Sequence, residues 1–184
     1  VDFLQSIDRS VALFFGALDI PFIDYLMVFF STIAELGAIY ILIAVCLWAF
    51  KGDRKQAAVI IVSLLLSVVF CHILKDIFDR TRPFMELGLE IIVSPPLGSS
   101  FPSAHSSTAF SFAAVMVWFY GKRKPLFAFL SVFLAAAVAF SRIWLCVHYL
   151  SDVVVGSVFG ITVGILTLFL CELVQKKISK KHKN

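Results

Sequence analysis

Long apolar stretches recur along the whole chain, and polar residues collect in the short segments between them. A helix needs about 20 apolar residues to cross a bilayer. Five stretches approach or exceed that length: roughly Pro21–Phe50, Gln56–Leu74, Ser103–Tyr120, Pro125–Phe140 and Tyr149–Val174. The first is long enough for Gly37 to bend or break it, and the fourth is expected to continue to Trp144. Upstream, residues 3–18 are also apolar but carry Asp8 and Arg9. That segment is expected either to lie in the interface as an amphipathic helix or to form a sixth, short span. The pattern predicts an all-α, polytopic membrane bundle of about six helices, five of them transmembrane spans and one an N-terminal short or interfacial helix. The longest interval between apolar runs, roughly Thr81 to Phe101, is too short for a folded domain of its own. Residues 1–184 therefore read as a single integral-membrane domain with a short basic tail at 176–184.

Composition sharpens this reading. The chain is 60% hydrophobic and 15% charged, with a mean hydropathy of +0.96, whereas a soluble domain is about 45–50% apolar and about 25% charged. The excess is spread along the chain, so a signal peptide alone does not explain it. Cys46, Cys71, Cys146 and Cys171 all lie in apolar runs without a CxxC pair and read as small packed residues. Gly156, Gly160 and Gly164, four apart in the last run, read as a small-residue packing stripe. Glycine-rich phosphate loops, HExxH and paired-cysteine metal patterns are absent from the sequence.

Charge placement then singles out residues. Eleven of the sixteen Lys and Arg lie in KGDRK at 51–55, GKRK at 121–124 and the tail. An even number of spans separates these segments, so they share one side, and the positive-inside rule makes it cytoplasmic. Four of the remaining five, Lys75, Arg80, Arg82 and Arg142, sit at the opposite ends of the spans, against that trend.

Three segments on the opposite face hold nearly all the chemistry. KDIFDRTRP carries Lys75 and Arg82–Pro83, FPSAHSS carries Ser103 and His105, and SRIWLCVHYLSD carries Arg142, His148 and Asp152. Three cations converging on one place suit a multi-oxygen anion such as phosphate, with Arg offering a planar fork and Lys a point charge. PSAH opens a helix, with Ser103 near its N-cap, so free backbone N–H groups point the same way. His148 and Asp152 are four apart and share a helix face. A carboxylate holding one ring nitrogen leaves the other free to attack. His105 would then protonate the leaving oxygen. The rival structural reading pairs Asp152 with Arg142, but three cations against one aspartate leave charge that an anionic ligand would relieve.

Together the three segments resemble the tripartite signature of the type-2 phosphatidic acid phosphatase family, which includes vanadium haloperoxidases and glucose-6-phosphatases. K-x6-R-P is met by Lys75 to Arg82–Pro83, and S-R-x5-H-x3-D by SRIWLCVHYLSD. P-S-G-H departs once, with Ala104 in place of Gly. The resemblance implies a metal-independent phosphatase with no cofactor and a phosphohistidine intermediate. His148 would be the nucleophile, Asp152 its orienting partner and His105 the acid and later the base. Lys75, Arg82, Ser103 and Arg142 would hold the phosphoryl oxygens. Arg80 lies outside the signature and is expected either to contact phosphate or headgroup or to pair with Asp76 or Asp79. His72 matches no signature position and is expected to be packed or interfacial; His182 is expected to be exposed. Residues 84–101 form either a plain connector, leaving Glu86 and Glu90 solvated, or a loop that shapes headgroup access.

The expected function is hydrolysis of a phosphomonoester or diphosphate of a lipid. Candidates are undecaprenyl diphosphate, the 1-phosphate of lipid A, phosphatidylglycerophosphate and phosphatidate. The expected place is a bacterial inner membrane, with the site facing the periplasm or cell exterior. Partners are the lipid substrate and membrane lipids, without nucleic acid; the oligomeric state stays open. The alternatives are a vanadate-dependent haloperoxidase, which hydropathy disfavours, and a lipid transporter, which would need charges deep in the spans.

Overall fold

The computed structural model describes residues 3–181. The reading of His182 lies outside them. Among the described residues there are eight α-helices and no strand: α1 (Phe3–Gly16), α2 (Pro21–Ile33), α3 (Ala38–Lys51), α4 (Arg54–Phe78), α5 (Pro83–Leu87), α6 (Ala104–Tyr120), α7 (Pro125–Trp144) and α8 (Leu150–Lys181). Proline opens α2, α5 and α7, where its missing N–H costs nothing. The first long apolar run breaks at Leu36 and Gly37, whose φ angles of 50° and 73° cannot continue a right-handed helix.

The number of full-length spans is smaller than the hydropathy pattern predicts. Helices α4, α7 and α8 are long and apolar enough to cross a bilayer, and α1 with α2 passes only as a pair bent by 119°. Helix α3 has 14 residues and α6 has 17, the latter about 26 Å at 1.5 Å per residue. The break at Leu36 and Gly37 divides the first expected run into α2 and α3, the break that Gly37 suggested. Helix α6 matches the third expected run, lies within the length range of a crossing helix and forms the buried axis of the bundle. It packs against α4, α7 and α8, and its Ser106, Ser107, Ala109, Phe112 and Val115 are buried. Around this axis the outward faces stay apolar: Trp48, Leu65, Phe129, Leu166 and Phe169 are all exposed. A chain with such a surface is a multi-pass membrane protein.

The glycine stripe of α8 sets how closely α8 approaches α6. A Cβ on Gly156, Gly160 or Gly164 would lie 2.6, 2.1 and 2.9 Å from the carbonyl oxygens of Ser103, Ser107 and Ser111. Backbone carbonyls cannot swing aside as a flexible side chain can. Gly160→Ala should therefore cost about 1–3 kcal/mol by overpacking and lower the unfolding temperature in detergent by about 3–10 °C. Unchanged thermal unfolding would show that the two helices are not in backbone contact.

The basic segments do share one end. Lys55 reaches across to Gln175 at 2.8 Å, and Tyr120 donates to Asp53 at 2.6 Å. His72 is exposed on α4 and bonds its own helix at Val68 O (2.9 Å). The four cysteines are free.

Candidate active site

At the end of the bundle opposite the basic segments, four pieces of chain meet: the end of α4 with the turn to α5, residues 97–103, the end of α7 with the loop 145–149, and the start of α8. Ser103 is the N-cap of α6 and accepts from Ser106 N at 3.4 Å. Its own N–H donates to the Asp152 carbonyl at 3.1 Å, which ties the start of α6 to the start of α8. Arg142, in the last turn of α7, accepts His148 N–H at its carbonyl (3.2 Å), which curls the loop that carries His148 back toward the end of α7.

His148 is buried, with its two ring nitrogens in different surroundings. Nδ1 lies 3.6 Å from Asp152 Oδ2 and 3.5 Å from Ser100 Oγ; Nε2 lies 3.3 Å from Arg82 Nη1. A guanidinium can only donate, so the contact at Nε2 favours the tautomer whose proton sits on Nδ1, toward the carboxylate. Burial pulls the His148 imidazole down to about 3; Asp152 works against this, and Arg142 and Arg82 add to it. The ring is therefore neutral, with the Nε2 lone pair beside a cation.

The cations are anchored without being neutralised. Arg82 donates through Nε to Gly98 O (3.0 Å), through Nη2 to Leu97 O and Ser99 O (both 3.2 Å), and through Nη1 to Val147 O (2.9 Å). Lys75 Nζ donates to Ser99 O and Ser100 O. Arg142 is 5% exposed and donates to Ser31 Oγ of α2, while its Nε has no partner among the described residues. Neutral oxygens hold these three side chains, so their charge stays available to an anion. His105, in the first turn of α6, interacts electrostatically with Arg142, His148, Arg82 and Lys75, and its Nε2 is buried without a protein partner among the described residues. The structure thus brings all seven sequence-derived residues to one place: Lys75, Arg82, Ser103, His105, Arg142, His148 and Asp152.

Several readings weighed from the sequence are corrected. Asp152 does not pair with Arg142; its ion partner is Arg80, with Nη1 at 2.6 Å from Oδ1. Arg80 in turn does not pair with Asp76 or Asp79, because its other nitrogen reaches Asp8 of α1 at 2.8 Å. Glu86 is likewise not simply solvated: it accepts from Arg9 (2.7 Å) and from Tyr149 (2.6 Å). Residues 97–100 are more than a connector, since their carbonyls hold Lys75 and Arg82 and Ser100 Oγ donates to Asp152 Oδ2 at 2.5 Å. Sequence reading missed Asp8 and Ser100. Their signal was weak: an aspartate inside an apolar N-terminal segment, and one serine in a polar loop.

The geometry can be set beside known proteins. The family model of the PAP2 superfamily matches residues 56–174. The lipid A 4'-phosphatase of Bacteroides thetaiotaomicron is 29% identical over 92% of this chain and 79% of its own length. The undecaprenyl-diphosphatase BcrC of Bacillus subtilis is 25% identical over 83% of this chain and 77% of its own length. Among solved structures, Aquifex aeolicus LpxE superposes with a TM-score of 0.71 at 27% identity, over 91% of this chain and 96% of that one. Fold, apolar surface and matched length agree, and the chain belongs to the PAP2 superfamily.

Proposed function

We propose that this chain removes a phosphate group from a membrane lipid by forming a phosphohistidine on His148. The class itself follows from the family and its relatives: the chain is a membrane lipid phosphatase. One observation carries the mechanism, the opposed surroundings of the His148 ring, with Asp152 facing Nδ1 and Arg82 facing Nε2. Nε2 attacks phosphorus, a P–N bond forms, and the P–O bond to the lipid breaks. His105 gives its proton to the departing oxygen. It then takes a proton from water, whose oxygen attacks the phosphohistidine; the P–N bond breaks, its electron pair returns to Nε2, and inorganic phosphate leaves. Lys75, Arg82, Arg142 and the Ser103 hydroxyl take the phosphoryl oxygens and hold the charge that builds on them.

The substrate we infer is an envelope lipid, the phosphate of lipid A or undecaprenyl diphosphate, ahead of phosphatidylglycerophosphate and phosphatidate. Relatives named for the first two substrates support this. The membrane we infer is a bacterial inner membrane, with the site facing outward; the gathering of basic segments at the far end supports that orientation. Phosphate release by purified protein in detergent from each of the four lipids tests the reading. The expected result is turnover of at least one envelope lipid that survives EDTA. Release from none of the four would overturn it, and loss in EDTA restored by magnesium would overturn the metal-independent chemistry.

A further inference from the structure

Arg80 is a cation that the family signature does not contain, and it ties Asp152 to the one helix whose role the sequence leaves open. Its Nη1 donates to Asp152 Oδ1 at 2.6 Å and to Ser151 Oγ at 2.8 Å, and its Nη2 donates to Asp8 Oδ2 at 2.8 Å. The guanidinium also lies 4.2 Å from the centre of the Tyr149 ring. Its backbone is held as well, with N donating to Ser99 Oγ (2.8 Å) and O accepting from Ser100 N (2.7 Å). Asp8 is 3% exposed although it sits in an apolar helix. Besides Arg80 it accepts from Ser151 N (2.9 Å) and Ser151 Oγ (2.5 Å), in the first turn of α8. Both carboxylates are buried, and one arginine fork bridges them.

We propose that Asp8 and Arg80 are positioning residues that fix the Asp152 carboxylate, and through it the attacking ring of His148. This rests on the phosphohistidine reading above. Asp152 has two oxygens with separate duties. Oδ2 takes Ser100 Oγ and Tyr149 N (2.9 Å) and faces His148 Nδ1. Oδ1 is pinned by Arg80. Without that pin the carboxylate can rotate, and the oxygen that sets the His148 tautomer leaves its place. Asp8 fixes the far arm of the same fork, so α1 becomes part of the catalytic apparatus at a distance from the reacting atoms. A second clamp, Arg9 to Glu86 to Tyr149, fastens α1 to the same outer surface. The alternative role for Arg80, a direct phosphate ligand, is disfavoured because both terminal nitrogens already serve carboxylates.

The test is steady-state kinetics on the purified full chain, with inorganic phosphate as the inhibitor that reports on the anion site. In Arg80→Gln we expect kcat to fall about 10- to 100-fold, the scale for losing an outer partner of a functional side chain. KM and the phosphate inhibition constant should stay within about threefold, because Lys75, Arg82 and Arg142 are untouched. Arg80→Lys should recover only part of the loss, since an ammonium cannot bridge two carboxylates as a fork does. Asp8→Asn should also lower kcat alone, by less, and should add nothing when combined with Arg80→Gln. Should Arg80→Gln not fold, Arg80→Lys and Asp8→Asn carry the same test. Wild-type kcat in Asp8→Asn and in the Arg80 variants would overturn the proposal. So would a parallel rise in KM and the phosphate constant, which would make Arg80 a phosphate ligand. His148→Ala, run alongside, keeps the two readings apart. If it is inactive while the Asp8 and Arg80 variants are normal, only the positioning role fails; if it is active, the phosphohistidine reading fails.

Discussion

Replacing His148 with alanine is expected to lower lipid-dependent phosphate release by about 10⁴-fold or more, the scale of losing a member of a catalytic triad. The other groups placed around the proposed phosphorus position are the three cations, the Ser103 hydroxyl, which caps α6, and His105, which is fixed on a different helix with a different task. The variant should still bind inorganic phosphate, because Lys75, Arg82 and Arg142 are held by neutral oxygens that do not depend on the imidazole. Acid-labile label from a phosphate-labelled lipid should be trapped on the wild-type chain in a rapid quench and be missing from the variant. Release above about a tenth of the wild-type rate would remove His148 from the covalent step. The buried ring, pulled down to about 3, stays unprotonated from pH 5 to pH 8. A fall in rate within that window therefore reports on some other group.

What the sequence made legible, and what it did not, follows distance along the chain. His148 and Asp152 are only four positions apart, although His148 lies in the loop just before α8 and not on the helix that carries Asp152, and Lys75 and Arg82 flank one short turn, so spacing alone suggests that each pair acts together. The three segments could be assigned to one face because hydropathy marks the spans and the basic runs mark the other face. Span lengths were less legible. Hydropathy does not register that Leu36 adopts a left-handed conformation. The supporting contacts were illegible for a different reason. Asp8 meets Ser151 across 143 positions, Arg80 meets Asp152 across 72, and Ser100 meets it across 52. Nothing local in the sequence encodes those pairings. Arg80 could be noticed as a cation against the topological trend, but its nearest acids in sequence, Asp76 and Asp79, were the wrong partners. Packing of α8 on α6, and of α1 against the start of α8, chooses the partners instead.

The same logic of separate duties gives a second large effect, at His105. A lipid alkoxide is a poor leaving group and needs a proton as its bond to phosphorus breaks, whereas a lipid monophosphate leaving from a diphosphate, with a second pKa of about 6, does not. His105→Ala should therefore lower turnover of a lipid phosphomonoester by about 10²- to 10⁴-fold, the usual worth of a positioned acid or base. An activated aryl phosphate such as p-nitrophenyl phosphate carries an already acidic leaving group, so its first step should be largely spared. The second step still needs a base to activate water, and that base is the same imidazole. The variant should then release a rapid burst of p-nitrophenolate close to one equivalent of enzyme and stall as the phosphohistidine. One observation supports this assignment: the His105 Nε2 is buried without a protein partner among the described residues. Equal losses on the lipid and on the aryl ester, with no burst, would mean that His105 only helps to bind phosphate, and that the proton must come from water or from another side chain at the rim.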